Sequence, residues 1–172
     1  DDDAPKDMNS LTLTTRASEI EQLDTIEEIW RAVADAVEAL GIVFLNYLTV
    51  DRDFSSPFLL TNIPEIYAVQ SEERDPFLSN CCSSYAITRT GADYLRDYPY
   101  LPPEAQAFIK AADQTGFRTG LGIPMRLKGS DRFGGFNLGT GFDRERLEAK
   151  IVPRQEELRL FCLITHRRIE EL

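Results

Sequence analysis

A chain of 172 residues with 42% hydrophobic content is long enough for one domain with a real core and too short to suggest two. A formal charge of −10 and a pI near 4.6 argue against polyanion binding by this chain, because nucleic-acid affinity rests on Lys and Arg neutralising phosphates. No apolar run approaches the roughly 18 residues of a membrane helix, and no secretory leader opens the chain, so a cytoplasmic protein without a membrane partner is expected.

Residues 1–10 are acidic and polar without apolar period and read as a disordered tail or an added remnant, leaving 11–172 as a single domain. From Ser18 to Leu40 the apolar residues Ile20, Leu23, Ile26, Trp30, Val33, Val37 and Leu40 step by threes and fours. With a Ser18/Glu21 capping-box pattern in front and Gly41 as a C-terminal cap behind, the spacing predicts one amphipathic helix. Ile42 to Val50 is dense in β-formers and reads as a strand buried on both sides, with Phe58 to Thr61 as its antiparallel partner. Pro64 to Glu73 suggests a short helix, and Pro76 to Thr90 fits a helix or an extended segment equally. Tyr94 to Tyr100 is rich in tyrosine, suited to half-buried walls, and Pro102 and Pro103 open a helix whose apolar face is Phe108, Ile109 and Ala112, ending at Gly116.

Gly116 to Gly141 then reads as a hairpin of two alternating strands. Phe117, Thr119, Leu121, Ile123, Met125 and Leu127 share one face of its first strand; Arg118, Gly120, Gly122, Pro124, Arg126 and Lys128 share the other. On the second strand Phe136 and Leu138 oppose Gly135, Asn137 and Gly139. Glycine weakens a strand, so several on one face imply that a packed helix or a small molecule approaches the backbone there. A charged terminal helix, interrupted at Pro153, completes the chain. Because the elements do not alternate strand and helix, the expected fold is α/β of the α+β kind, an antiparallel sheet sandwiched between helices in a PAS/GAF-like α/β/α arrangement.

The three cysteines, Cys81, Cys82 and Cys162, suit reduced thiols rather than a disulfide framework. Cys162 and His166 are spaced to share a helix face, which allows a metal pair or a Cys-His dyad; a core thiol and a surface or capping imidazole are the simpler reading, and no metal, catalytic residue or cofactor is expected. No Walker loop, zincin helix, nucleophile elbow or EF-hand loop is present. A small cysteine-dependent enzyme therefore stands behind a binding module.

Taken in order, Thr61-Asn62-Ile63-Pro64, Tyr67, Asp75-Pro76, the tyrosine cluster, Ala111-Ala112-x-x-x-Gly116-Phe117-x-x-Gly120-x-x-x-Pro124 and Phe133-Gly134-Gly135-Phe136-Asn137 resemble the autoinducer-binding domain of LuxR-type quorum-sensing transcription regulators. The resemblance runs from about Leu59 to Leu138. It implies an acyl-homoserine lactone held between sheet and one helix layer, a homodimer, and DNA binding through a C-terminal helix-turn-helix domain not contained in this sequence. It further implies that Asp75 accepts the ligand amide N–H. Tyr67 falls where the family has a lactone-binding tryptophan, and Asn137 where a serine or threonine meets the amide end of the acyl chain. Gly122 and Gly135 border the same space, Tyr100 and Phe108 match aromatic walls, and Tyr94 lies beside Leu95, where the family has a second tryptophan. Ile63 replaces a donor tyrosine and cannot donate. A solo GAF- or PAS-like sensor with a non-lactone ligand, or a plain dimerisation module, is the alternative implied by those departures.

Overall fold

Strand alternation divides this protein into two unlike halves. The computed structural model describes residues 13–53, 55–66, 85–99, 101–126 and 131–172. Its strands are β1 (Phe44–Asp51), β2 (Phe58–Thr61), β3 (Thr88–Thr90), β4 (Thr119–Met125) and β5 (Arg132–Thr140), joined in one antiparallel sheet of order β2-β1-β5-β4-β3. Its helices are α1 (residues 13–20), α2 (Ile26–Glu38), α3 (Pro103–Gln114), α4 (Arg144–Lys150) and α5 (Gln155–Glu171), with a 3-10 turn at Ala92–Asp97 and another at Val152–Arg154. The expected antiparallel sheet between helices is present.

One face of the sheet carries Leu45, Tyr47, Leu121, Ile123, Met125, Phe136 and Leu138 into the main core, against Ile20 of α1, Ile29, Val33 and Val37 of α2, Leu147 of α4 and Leu158, Phe161 and Cys162 of α5. Each such side chain fully buried contributes about 1.5–3 kcal/mol. The opposite face carries little side-chain volume. There Ile63, Ile66, Phe108, Ala112 and Phe117 form a second cluster, flanked by Phe44 and Leu59. Helix α3 supplies the predicted Phe108 and Ala112 to this cluster, with Ile109 buried beside them.

Two sequence expectations fail locally. The helix read from Ser18 to Leu40 is two helices: α1 ends at residue 20, and α2 starts afresh from an N-cap at Thr25, whose side chain accepts from the Glu28 amide. Thr25 and Glu28 repeat the capping-box pattern of Ser18 and Glu21, and the second pattern is the one used. The break is held from α5, where Arg168 donates through Nε to the Leu23 carbonyl at 2.9 Å and lies 3.2 Å from Asp24. Phe117 also departs from the face assigned to it. It precedes β4 proper and turns onto the glycine side, stacked on Phe44 with ring centroids 5.6 Å apart.

Candidate functional site

The register places Gly122 of β4 between Asn137 of β5 and Thr88 of β3, while Asn137 also faces Asn46 of β1, which faces Thr61 of β2. Cross-strand partners share a face, so these residues form a polar row across the glycine side of the sheet. Hydrogen bonds connect it. The Ile63 amide donates to Thr61 Oγ1 at 3.0 Å, Thr61 donates to Asn46 Oδ1 at 2.6 Å, and Asn46 Nδ2 donates to the Asn137 carbonyl at 3.3 Å. Thr90, fully buried, donates its hydroxyl to Asn137 Oδ1 at 2.7 Å. That bond fixes the carboxamide and leaves the two N–H donors of Asn137 with no acceptor among the described residues.

The glycines of this face answer to different neighbours. A Cβ at Gly139 would lie 2.3 Å from the Phe117 ring, so that glycine makes room for packing. At Gly135 a Cβ would lie 2.3 Å from the Ile123 carbonyl oxygen and 3.0 Å from Pro124 Cα, a backbone obstacle that cannot rotate away. At Gly135, expected to border the ligand space, close strand approach is by itself a reason for a missing side chain. Gly122 alone of the two predicted glycines faces a movable group, Thr88 Oγ1 at 2.7 Å. Above this floor Ile66, Gly91, Phe108, Ala112, Phe117 and Asn137 line a small cavity of about 10 Å³ against α3.

Of the residues picked out by sequence, Phe108, Gly122, Gly135 and Asn137 thus lie on one side of the sheet, whereas Tyr67, Asp75 and Tyr100 lie outside the described residues. Tyr94 is separated from them, and its expected role as a ligand wall is corrected. It is buried in the main core on the other face, its hydroxyl donates to Glu148 Oε1 at 2.7 Å, and the Arg144 guanidinium lies 4.4 Å over its ring. Burial, reinforced by Glu148, pushes the phenol up to about 12. Sequence reading missed Asn46, Thr61, Thr88 and Thr90. The signal for Asn46 was available, a lone amide inside the apolar run from Ile42 to Val50.

His166 is a further correction. It is no surface or capping group: fully buried on α5, it takes the Tyr47 hydroxyl at Nδ1 at 2.6 Å, with Glu170 3.5 Å from Nε2. Burial holds its pKa below the ordinary histidine range, with Glu170 opposing more weakly, and burial drives the Tyr47 phenol upward. Cys162 is the core thiol expected, and burial pushes it too far up to act as a nucleophile at neutral pH. Cys81 and Cys82 lie outside the described residues, among which no group of three His, Cys, Asp or Glu is placed to hold a metal ion.

A larger groove, of about 710 Å³, opens on the main-core face, opposite the glycine side, between Phe58, Tyr47, Arg132, Ile169 and Leu172. Its polar groups are already committed. Arg132 donates to Asp51, to Thr49 and to the Ser56 carbonyl, and Tyr47 to His166. On chemical grounds the glycine side, with unspent donors, is the better candidate for a ligand although its described cavity is smaller.

Residues 25–169 match the model of the autoinducer binding domain. Among curated protein sequences there is no significant match. The N-acylhomoserine lactone dependent LuxR family transcription factor CepR2 of Burkholderia cenocepacia superposes with a TM-score of 0.67 at 16% identity, over 95% of this chain and 94% of that one. Escherichia coli SdiA superposes with a TM-score of 0.68 at 19% identity, over 93% of this chain and 67% of SdiA. SdiA in complex with octanoyl-rac-glycerol gives 0.61 at 17% identity, over 92% of this chain and 66% of SdiA. The fold is therefore shared with these regulators, and this chain spans about two thirds of SdiA.

Proposed function

Since the chain belongs to the autoinducer binding domain family, we propose that it is the sensing domain of a LuxR-type regulator, binding an acyl-homoserine lactone or a related acyl amphiphile on the glycine side of its sheet. The observation that carries this reading is the Asn137 carboxamide, held at its oxygen by Thr90 and with its N–H donors unused, next to Phe108 and Phe117. An amide or ester carbonyl is the partner such donors take, and the aromatic side chains suit an acyl chain. Asp75 is proposed as acceptor of the ligand amide N–H, and Tyr67 and Tyr100 as further contacts, by their family positions. Cytoplasmic sensing coupled to homodimerisation and to a C-terminal DNA-binding domain completes the proposal. Catalysis forms no part of it.

Ile63, buried at 4% exposure where the family resemblance calls for a donor tyrosine, favours one variation. Without that donor the acyl carbonyl of an acyl-homoserine lactone loses a hydrogen bond, which weakens the hold on that ligand class and leaves room for other acyl ligands. SdiA itself has been solved with octanoyl-rac-glycerol. Thermal unfolding in the presence of acyl-homoserine lactones and monoacylglycerols of graded chain length separates the two. A ligand at a hundred times its Kd adds about 2.7 kcal/mol, and the melting temperature rises accordingly. A rise with lactones that is lost in Asp75→Asn supports the lactone; a rise only with acylglycerols supports the variation; no rise with either rejects the proposal.

A further inference from the structure

The groove on the main-core face has a chemistry of its own. Its floor is Tyr47 and Thr49 of β1 with Phe58 of the edge strand β2, and its wall is the end of α5 at Ile169 and Glu170. The donors on this floor are engaged within the protein. Arg132 reaches Asp51 at 3.0 Å, Thr49 and the Ser56 carbonyl, and the Tyr47 hydroxyl goes to His166. A molecule in the groove therefore meets acceptors and rings. Glu170 and Asp131 bring two carboxylates, and Arg132, the one cation among the described lining residues, is balanced by Asp51. Phe58 is 36% exposed, set edge to face with Tyr47 at 6.1 Å between centroids. An exposed aromatic face attracts a cation, and more so beside carboxylates.

His166 adds an independent observation. With the Tyr47 hydroxyl donating to Nδ1, the imidazole proton sits on Nε2, and that buried atom has no hydrogen-bond partner, the Glu170 Oε1 lying 3.5 Å away. A buried donor left short of an acceptor is costly. Glu170 thus faces the imidazole on one side and the groove on the other. Its two oxygens can serve both, and a donor arriving from the groove would hold the carboxylate where the imidazole also needs it.

We propose that this groove is a second small-molecule site, specific for a hydrophobic amine: the protonated amine donates to Glu170, and its aromatic or short apolar body lies on Phe58 against Ile26 and Ile169. The volume of about 710 Å³ suits such a ligand. A carbonyl compound finds the floor donors engaged, and a carboxylate meets like charge, so the amine is the class the groove selects. The site lies across the sheet from the acyl ligand and stands independently of that reading.

The test titrates the chain at pH 7.5 with 2-phenylethylamine and with 2-phenylethanol, the second replacing the ammonium by a neutral hydroxyl. Calorimetry gives the affinities, and the Ile169 methyl and Asn137 side-chain amide signals give the place. The amine should bind about tenfold or more tightly than the alcohol, the range of a charge-assisted hydrogen bond, and should shift Ile169 while leaving Asn137 unmoved. Glu170→Gln, equal in size, should bring the amine to the level of the alcohol without changing the alcohol. Phe58→Leu, which keeps an apolar wall and removes the ring, should weaken the amine about threefold or more. The comparison of the two compounds on the wild type needs no variant to fold. No binding of the amine, equal affinities for amine and alcohol, an amine affinity unaltered in Glu170→Gln, or shifts at Asn137 in place of Ile169 each overturn the inference. Ile169 signals that move on dilution and not with the amine would assign the groove to a second copy of the chain and overturn it as well.

Discussion

Replacing Phe117 with alanine lowers the unfolding free energy by about 3–5 kcal/mol, the range for deleting a buried aromatic side chain. The ring is 2% exposed, stacks on Phe44 and belongs to the cluster with Phe108 and Ala112 of α3. Beneath it the floor is Gly139 and Gly120, which have no side chains with which to fill the space. The cavity can close only by movement of α3 toward the sheet, and that movement reshapes the proposed ligand wall. Urea unfolding of Phe117→Ala and Phe117→Leu checks this: alanine falls in the stated range, leucine costs about half as much or less, and the proposed ligand binds alanine more weakly in proportion. A loss below about 1 kcal/mol for alanine would show that the glycine floor is not supported by this ring.

The second large effect sits on the opposite face. Tyr47→Phe removes the only hydroxyl bonded to His166 Nδ1 among the described residues and should cost about 1–3 kcal/mol at pH 7.5, the penalty for stranding a buried polar atom. His166 also sets an acid limit. Its folded pKa lies below the unfolded value of about 6.5, so in that window the unfolded chain binds the extra proton and stability falls as pH drops. Tyr47, Glu170 and, through Tyr47, Arg132 are the groups that face it. As the sole histidine in 172 residues, it makes the slope between pH 7 and pH 6 attributable, up to about 1.4 kcal/mol per pH unit. Urea titrations across that range should show the slope in the wild type and its reduction in His166→Gln; equal slopes would mean that the imidazole is hydrated and titrates normally.

Much of this architecture is written in local pattern. The alternation of Leu121, Ile123 and Met125 with Gly120, Gly122 and Pro124 specifies β4 and both its faces, and Pro103 and Gly116 bracket α3 by their backbone preferences. What failed locally is equally physical. The break after α1 depends on Arg168, distant in sequence, satisfying the Leu23 carbonyl. Phe117 leaves the alternation because strand pairing begins two residues later, at Thr119. His166 is drawn inside by Tyr47, a partner from β1 that helical spacing on α5 could not reveal. For the candidate site, the family pattern singled out Asn137, Phe108 and Gly122, which share the glycine side. Tyr94, picked out beside Leu95 in a tyrosine-rich run, enters the other face, because neither its neighbours nor its composition says which side of a sheet a ring enters. The row from Thr61 through Asn46 to Asn137 exists only in the register between strands, and no single segment encodes it.

In the proposed function the ligand meets the glycine side of the sheet at Asn137, and not the roomier groove beside Arg132 on the other face. Nuclear magnetic resonance of the Asn137 side-chain amide during titration with an acyl-homoserine lactone addresses it directly. Binding at Asn137 gives large shifts of its Nδ2 protons with slowed solvent exchange, and unchanged methyl signals of Ile169 and Leu172. Shifts at Ile169 and Leu172 with a silent Asn137 amide would contradict it and move the ligand to the opposite face.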